Sequence, residues 1–259
     1  MSQNPELLPG TRPAGPASEE EAGRQVREMF SRIAPRYDLL NHLLSLEVDR
    51  LWRMRLARRF GAVLKNPEAS VLDLCCGTGD LAATFRRAGP ARVVGVDFAH
   101  PMVTRAVAKD VLAGASCGAV HGRKNQAYIE ADALELPFAD ARFDLVATAF
   151  GFRNLANYER GLIEIRRVLK PGGALAILEF SEPRSRVFGA VYRFYFRSVL
   201  PRIGRAISRD GTAYSYLPAS VGRFLSVDEL VRMVERVGFR GARSESWTGG
   251  IVALHTAAR

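Results

Sequence analysis

Residues 71–80 read VLDLCCGTGD, and this stretch decides the fold. Its first residues continue an apolar run that begins at Ala69 and predicts a buried strand. Gly77 and Gly79 follow, and a helical pattern begins at Asp80. Because glycine has no Cβ, a turn of this composition lets a ligand approach the backbone closely. The stretch therefore predicts a strand, a tight turn and a helix, with a ligand bound at the turn.

Two kinds of cofactor fit this turn. Residues 77–82 match the G-x-G-x-x-A pattern that binds the pyrophosphate of nicotinamide or flavin dinucleotides. Asp73, inside the strand, instead suits a cofactor with a cationic amino-acid end, such as S-adenosylmethionine, which has no pyrophosphate. Asp80 favours this second alternative, because a carboxylate at the helix N-terminus would repel two phosphates. Asp97, after the next predicted strand, could accept hydrogen bonds from the ribose of either cofactor.

From Ala69 onward, short apolar runs alternate with helical patterns, which is typical of a parallel sheet with crossover helices. The strands are predicted at residues 69–74, 92–96, 127–131, 143–149, 174–179, 240–246 and 251–256. The helices are predicted at residues 80–88, 157–168 and 226–237, with Ser226 as the N-cap of the last one. The expected fold class is therefore α/β, with a Rossmann-like, seven-stranded and mostly parallel sheet.

The length of 259 residues and the hydrophobic fraction of 47% suit one α/β domain. We expect a disordered tail at residues 1–21 and a single domain at residues 22–259. Within that domain, residues 22–60 are predicted as a helical cover. Residues 184–224 are predicted as an insertion that covers the substrate, because such segments at the carboxyl edge of a sheet usually cover the site. No run of about 18 apolar residues occurs, so no membrane-spanning helix is predicted.

Net charge and cysteine content exclude fewer functions than the motifs do. The net charge of +10 suits nucleic acid or an anionic membrane surface. The arginines are scattered along the sequence, however, so charge alone favours neither partner. Cys75, Cys76 and Cys117 are odd in number and form no C-x-x-C motif, which indicates reduced thiols in the cytoplasm. No His, Cys or carboxylate cluster has metal-ligand spacing, so no metal is expected.

Two later motifs distinguish the cofactors. Residues 132–138 read DALELPF directly after the third predicted strand, and residues 167–173 read RVLKPGG before the fifth. Both resemble the later motifs of class I methyltransferases, in which an acid after the third strand meets the adenine amine. Together and in this order, they favour S-adenosylmethionine over a dinucleotide.

The flanking segments make the resemblance more specific. They read FSRIAPRYDLLN at residues 30–41, DRLW at 49–52, FGFRN at 150–154, RVLKPGGALAILEFS at 167–181 and TGGIVALH at 248–255. Over roughly residues 27–255, the chain resembles the UbiE-type, or MenG-type, quinone-biosynthesis C-methyltransferases. The resemblance implies a class I S-adenosylmethionine-dependent methyltransferase that methylates a ring carbon of a prenylated quinol. Demethylmenaquinol is the expected substrate, and a methoxy-benzoquinol precursor of ubiquinone is the alternative.

The resemblance also implies cofactor contacts at particular residues. It places them at Thr78, Asp97, Asp132 and Ala133. The remaining candidates lie in the first strand, in the glycine turn or at the end of the fourth strand: Asp73, Gly77, Gly79 and Ala149. Some members of the family have serine where Ala149 stands, so this chain lacks that hydroxyl.

A ring carbon becomes nucleophilic when an ortho hydroxyl of the quinol loses its proton. Arg153 is the candidate for stabilising the resulting phenolate, directly or through a water that removes the proton, and Asn154 is the candidate for holding that water. The alternative is a structural arginine in a loop. Tyr37, Tyr214 and Tyr216 are candidates for contacts to the ring.

Residues 187–200 carry aromatic side chains at helical spacing with arginines among them. This stripe suits an isoprenoid tail or a membrane surface, and packing onto the core or onto a second copy in a homodimer explains it equally well. Nucleic acid is not an expected partner, because residues 149–152 read AFGF where a base pocket would carry an Asn/Asp-Pro-Pro-Tyr/Phe motif. The expected partner is a lipophilic prenylated quinol, with peripheral association at the inner face of the plasma membrane.

Overall fold

The computed structural model describes residues 10–11, 18–34, 47–116, 126–181, 183, 189, 216 and 219–259. In these ranges, seven strands form one sheet in the order β3-β2-β1-β4-β5-β7-β6. The strands are β1 (Ser70–Leu74), β2 (Arg92–Asp97), β3 (Gln126–Glu130), β4 (Phe143–Ala149), β5 (Leu169–Phe180), β6 (Arg240–Trp247) and β7 (Val252–Ala258). The helices are α1 (Glu19–Ile33), α2 (Val48–Arg59), α3 (Gly61–Leu64), α4 (Asp80–Ala88), α5 (His100–Ser116), α6 (Tyr158–Val168) and α7 (Val227–Arg236).

The strand directions confirm the predicted fold class. Strands β3, β2, β1, β4 and β5 are parallel, and β7 is antiparallel to both β5 and β6. The carboxyl ends of parallel strands meet at one edge of the sheet, where α/β proteins bind their ligands. This edge collects the residues that follow Leu74, Asp97, Glu130 and Ala149.

Helices cover both faces of the sheet, and each face has its own core. On one face, Leu72 and Ile177 of the sheet pack with Leu162 of α6 and Leu230 of α7. On the other face, Leu145 and Leu178 pack with Leu56 of α2 and Phe85 of α4. The N-cap prediction for α7 is confirmed, since Ser226 and Glu229 form a capping box. None of the described helices is long and apolar enough to cross a membrane.

Two boundaries differ from the prediction by three residues or more. Helix α1 begins at Glu19, because the Ser18 hydroxyl accepts a hydrogen bond from the Glu21 amide at 3.1 Å and caps the helix. Strand β5 begins at Leu169 instead of residue 174, since Leu169 already pairs with Phe143 before a register shift. The KPGG sequence that was predicted to separate helix and strand thus lies inside the strand.

The predicted tail and covers are described only in part. Thr11 lies within the predicted tail but donates its backbone N–H to the Leu155 carbonyl at 2.8 Å, so this part of the segment packs on the domain. In the predicted cover at residues 22–60, most of α1 and all of α2 are helical, and residues 35–46 lie outside the described residues. Most of the predicted insertion at residues 184–224 also lies outside them, including the aromatic stripe at 187–200. Residues 219–223 are helical.

Candidate active site

The glycine turn after β1 has an unusual backbone. Cys75, Gly77 and Gly79 all have positive φ, of 55°, 54° and 85°. Such angles cost little in glycine but are uncommon in cysteine, so the turn holds Cys75 in a conformation that local preferences disfavour. The Cys76 amide donates to the Val96 carbonyl at 2.9 Å, which fastens the turn to the neighbouring strand β2.

Asp97 at the end of β2 holds the same turn from the other side. Its Oδ2 accepts a hydrogen bond from the Gly77 amide at 2.8 Å, and its Oδ1 accepts one from the Ala99 amide at 3.0 Å. The residue is 7% exposed, and burial raises the pKa of its carboxyl to about 6. A carboxylate offers about four lone-pair positions. The carboxylate therefore keeps capacity to accept a hydrogen bond from a ribose hydroxyl.

A cleft of about 710 Å³, including its open mouth, lies at this edge of the sheet. Five of the predicted site residues line it: Gly77, Asp97, Asp132, Ala133 and Asn154. Gly23 and Phe30 of α1 also line it, so α1 forms one wall. Asp132 is exposed and accepts a hydrogen bond from the Leu134 amide at 2.9 Å, which orients its carboxylate.

Five of the predicted cofactor-binding and catalytic residues do not line the cleft: Asp73, Thr78, Gly79, Ala149 and Arg153. Asp73 is buried and accepts a hydrogen bond from the Ala82 amide at 2.8 Å. Burial raises the pKa of its carboxyl to about 8. Asp73 thus joins β1 to α4 behind the glycine turn. The sequence had instead predicted a contact between Asp73 and the cationic end of the cofactor.

Thr78 and Asp80 belong to an ion network beside the turn. Lys109 of α5 donates to the Thr78 hydroxyl at 3.0 Å and to Asp80 Oδ1 at 2.6 Å. Arg53 of α2 lies 3.5 Å from Asp80 Oδ2 and also pairs with the buried Asp49. Two cations thus lie beside the Asp80 carboxylate and compensate part of its charge, which the local sequence pattern did not predict. Sequence reasoning missed Arg53 and Lys109, which carry no local motif.

Arg153 has an unexpected partner. Its Nη1 lies 3.1 Å from Glu179 Oε2 and 3.3 Å from Oε1, and its backbone N–H donates to Oε1 at 3.1 Å. Its Nε lies 3.4 Å from the Ser220 hydroxyl, and Nη1 also contacts the Phe150 carbonyl. Arg153 is 6% exposed and Glu179 is fully buried. The guanidinium that is predicted to stabilise the phenolate is half of a buried ion pair at the end of β5.

Asn154, the next residue, does face the cleft. Its Oδ1 accepts a hydrogen bond from the Tyr216 hydroxyl at 3.0 Å, and its Nδ2 makes a long contact of 3.5 Å to the Phe150 carbonyl. Burial raises the pKa of Tyr216 above that of free tyrosine, so its hydroxyl remains a donor. Tyr216 therefore reaches the predicted catalytic turn. The other two predicted tyrosines, Tyr37 and Tyr214, lie outside the described residues.

The seven-stranded sheet, the glycine turn after β1 and the acids that follow β2 and β3 around one cleft define a class I methyltransferase, whose cofactor is S-adenosylmethionine. The chain belongs to the ubiE/COQ5 methyltransferase family, whose model matches residues 17–259.

Curated relatives span nearly the whole chain. A demethylmenaquinone methyltransferase from Deinococcus radiodurans is 46% identical over 91% of this chain and 92% of its own. One from Thermus thermophilus is 47% identical over 89% of this chain and 100% of its own. A ubiquinone/menaquinone biosynthesis C-methyltransferase UbiE from Geobacter sulfurreducens is 45% identical over 91% of this chain and 89% of its own.

Solved structures of lower identity agree on the fold. A SAM-dependent methyltransferase from Thermotoga maritima superposes with a TM-score of 0.61 at 17% identity, covering 89% of this chain and 98% of its own. Another from Aquifex aeolicus has a TM-score of 0.54 at 21% identity, covering 80% and 88%.

Proposed function

We propose that this enzyme methylates a ring carbon of a prenylated quinol, with demethylmenaquinol as substrate and menaquinol as product. The observation that carries this choice is that relatives from Deinococcus and Thermus, alike along almost their whole length, are named demethylmenaquinone methyltransferases. A methoxy-benzoquinol is the second candidate, because the Geobacter relative is named for ubiquinone as well as menaquinone.

Bound S-adenosylmethionine supplies an electrophilic methyl group on a sulfonium. Asp97 would bind the ribose through the remaining lone pairs of its carboxylate, and Asp132, by resemblance, would accept a hydrogen bond from the adenine amine. These contacts would position the cofactor for transfer to the ring carbon, and positioning is the largest contribution that a transfer of this kind needs. Asp73 and Gly79 do not line the cleft, and we assign them to stabilising the conformation of the glycine turn.

Asn154 is the residue that we assign to the substrate oxygen. Its Oδ1 accepts a hydrogen bond from Tyr216, so the carboxamide presents Nδ2 as a donor, with one long contact of 3.5 Å among the residues that the structure describes. A donor aimed at the phenolate oxygen stabilises the charge that develops as the quinol loses its proton. Arg153 supports this arrangement, because it braces the turn that carries Asn154 through Glu179 and the Phe150 carbonyl.

A direct assay tests the substrate. Purified enzyme, S-adenosylmethionine and either demethylmenaquinol or the methoxy-benzoquinol are combined under reducing conditions, and kcat/KM is measured for each. We expect the naphthoquinol to be preferred. A higher kcat/KM for the benzoquinol would transfer the assignment to ubiquinone synthesis, and turnover of neither quinol would overturn the proposed function.

We further propose that the enzyme associates peripherally with an anionic membrane surface through α2. Leu51 and Met54 on this helix are 59% and 40% exposed, and Arg58 is exposed one turn further along. Apolar side chains among arginines suit a surface of anionic lipids. Trp52 packs against Phe150, with ring centroids 5.8 Å apart, and Phe150 lines the cleft. Helix α2 therefore lies beside the site that a lipophilic quinol must enter.

Sedimentation with phosphatidylglycerol and phosphatidylcholine vesicles tests this surface. Wild-type enzyme should bind the anionic vesicles, and added salt should weaken binding. Replacing Leu51 and Met54 together by serine should reduce binding. Ile163→Ser on α6, where the side chain is 52% exposed, should not. Equal binding of both variants would exclude α2. A smaller particle by light scattering for the α2 variant would instead make this face a homodimer contact.

A further inference from the structure

The N-terminal segment contacts residues that line the cleft, although it lies outside the matched family region, which begins at residue 17. The Thr11 amide donates to the Leu155 carbonyl at 2.8 Å, and Leu155 lines the cleft. Thr11 is 8% exposed. Gly10 lies so close to Ala156 that an added Cβ would overlap the Ala156 carbonyl oxygen. These two residues therefore lie directly against the loop that follows Asn154.

A hydrogen-bonded chain connects this segment to the proposed catalytic turn. The Thr11 hydroxyl lies 3.3 Å from the Tyr216 hydroxyl, and the Tyr216 hydroxyl donates to Asn154 Oδ1 at 3.0 Å. Since the Tyr216 hydroxyl has one hydrogen and donates it to Asn154, the Thr11 hydroxyl is the donor in the first contact. Thr11, Tyr216 and Asn154 thus form one chain of hydrogen bonds, although they are far apart in sequence.

We propose that Gly10 and Thr11 form a strap that positions Asn154 for methyl transfer. The strap acts in two ways. It fixes the rotation of the Tyr216 hydroxyl, and therefore fixes which side of the Asn154 carboxamide faces the cleft. It also packs against the backbone at Leu155 and Ala156, and this contact keeps the turn in place beside the cleft. The inference rests on the proposed function of Asn154 and assigns a role to residues outside the family match.

The glycine supplies a sharp test. In Gly10→Ala, the added methyl group cannot coexist with the Ala156 carbonyl, so the strap should leave its site. In the control Gly61→Ala, an added Cβ meets nothing within 4 Å. Amide hydrogen exchange measures docking without substrate, because the Thr11 N–H is protected only while it is bonded to Leu155. Exchange at Thr11, and in the turn at Asn154 and Leu155, should accelerate in Gly10→Ala and stay unchanged in Gly61→Ala.

Turnover measures the consequence. For Gly10→Ala we expect kcat to fall roughly three- to tenfold, the effect of losing one hydrogen bond to a positioned group. The KM for S-adenosylmethionine and the melting temperature should hold, since Asp97 and the core are untouched. Thr11→Val should reproduce the loss of kcat, and Thr11→Ser, which keeps the hydroxyl, should restore it. Combining Thr11→Val with Tyr216→Phe should cost no more than Tyr216→Phe alone.

The outcomes separate this inference from the proposed function. If the wild-type Thr11 amide is unprotected, or if Gly10→Ala releases the strap with kcat unchanged, the positioning role is wrong. If the wild-type enzyme methylates neither quinol, the proposed function fails, and hydrogen exchange alone then tests whether the strap holds the turn. Faster exchange at Asn154 in Gly10→Ala then supports the strap, and unchanged exchange overturns it.

Discussion

Asp97 joins the glycine turn, the end of β2 and the cleft through two short hydrogen bonds. Hydrogen bonds to a charged acceptor contribute about 1.5–3 kcal/mol each. We therefore predict that Asp97→Ala weakens S-adenosylmethionine binding at least about tenfold in calorimetry. The comparison is Asp132→Ala, which removes an exposed carboxylate and should have a smaller effect. An unchanged affinity in Asp97→Ala would place the ribose contact elsewhere.

The pKa of Asp97 adds a prediction about pH. Burial raises this pKa to about 6, above the ordinary value, so the cofactor-free enzyme gains a proton there as the pH falls through about 6. Ribose hydroxyls donate to the ionised carboxylate, and protonation therefore competes with binding. Affinity for S-adenosylmethionine should fall as the pH is lowered from about 7 to 5. In Asp97→Asn it should be weak and flat over that range, and a wild-type profile equally flat would contradict the assignment.

Variants of Arg153 and Glu179 distinguish an effect on stability from an effect on catalysis. Arg153→Ala leaves a fully buried carboxylate without its cation, which costs about 3–5 kcal/mol in such pairs. Urea denaturation should show this loss of stability. Adding Glu179→Gln removes the unpaired charge and should restore most of it. If kcat recovers together with stability in the double variant, Arg153 has no part in the chemistry.

At the scale of elements, the two described helices with a serine N-cap, α1 and α7, make a matched pair. Replacing either N-cap, Ser18 or Ser226, by alanine should cost about 1 kcal/mol of unfolding free energy. Residues of α1 line the cleft, and none of the cleft-lining residues comes from α7. Ser18→Ala should therefore also weaken cofactor binding, and Ser226→Ala should leave it unchanged. Equal effects of the two variants on cofactor affinity would contradict the role of α1 as a wall.

Elements were the level that the sequence predicted best. Hydrophobic alternation and the glycine turn depend on neighbours in the chain, so the strands, the N-cap at Ser226 and the acid at Asp97 could be predicted. The partners of Asp80 and Arg153 could not. Lys109 and Glu179 lie 29 and 26 positions away, on elements that only the folded sheet brings near. Thr11 illustrates the same limit, since a proline-rich acidic segment predicts disorder whether or not two of its residues dock.

At the scale of the whole molecule, activation through a phenolate would require a reduced ring, and the two cysteines among the described residues do not supply the electrons. Cys75 lines the cleft, but burial holds the pKa values of the Cys75 and Cys76 thiols well above their usual range. Protonated thiols are poor nucleophiles and do not attack a quinone. The oxidised substrate also lacks the hydroxyl whose deprotonation activates the ring carbon.

We predict that demethylmenaquinone is not methylated under anaerobic conditions until dithionite converts it to the quinol. Binding of S-adenosylmethionine, measured with and without dithionite, should be identical and serves as the control. Equal turnover of quinone and quinol would refute activation through a phenolate and, with it, the role given to Asn154.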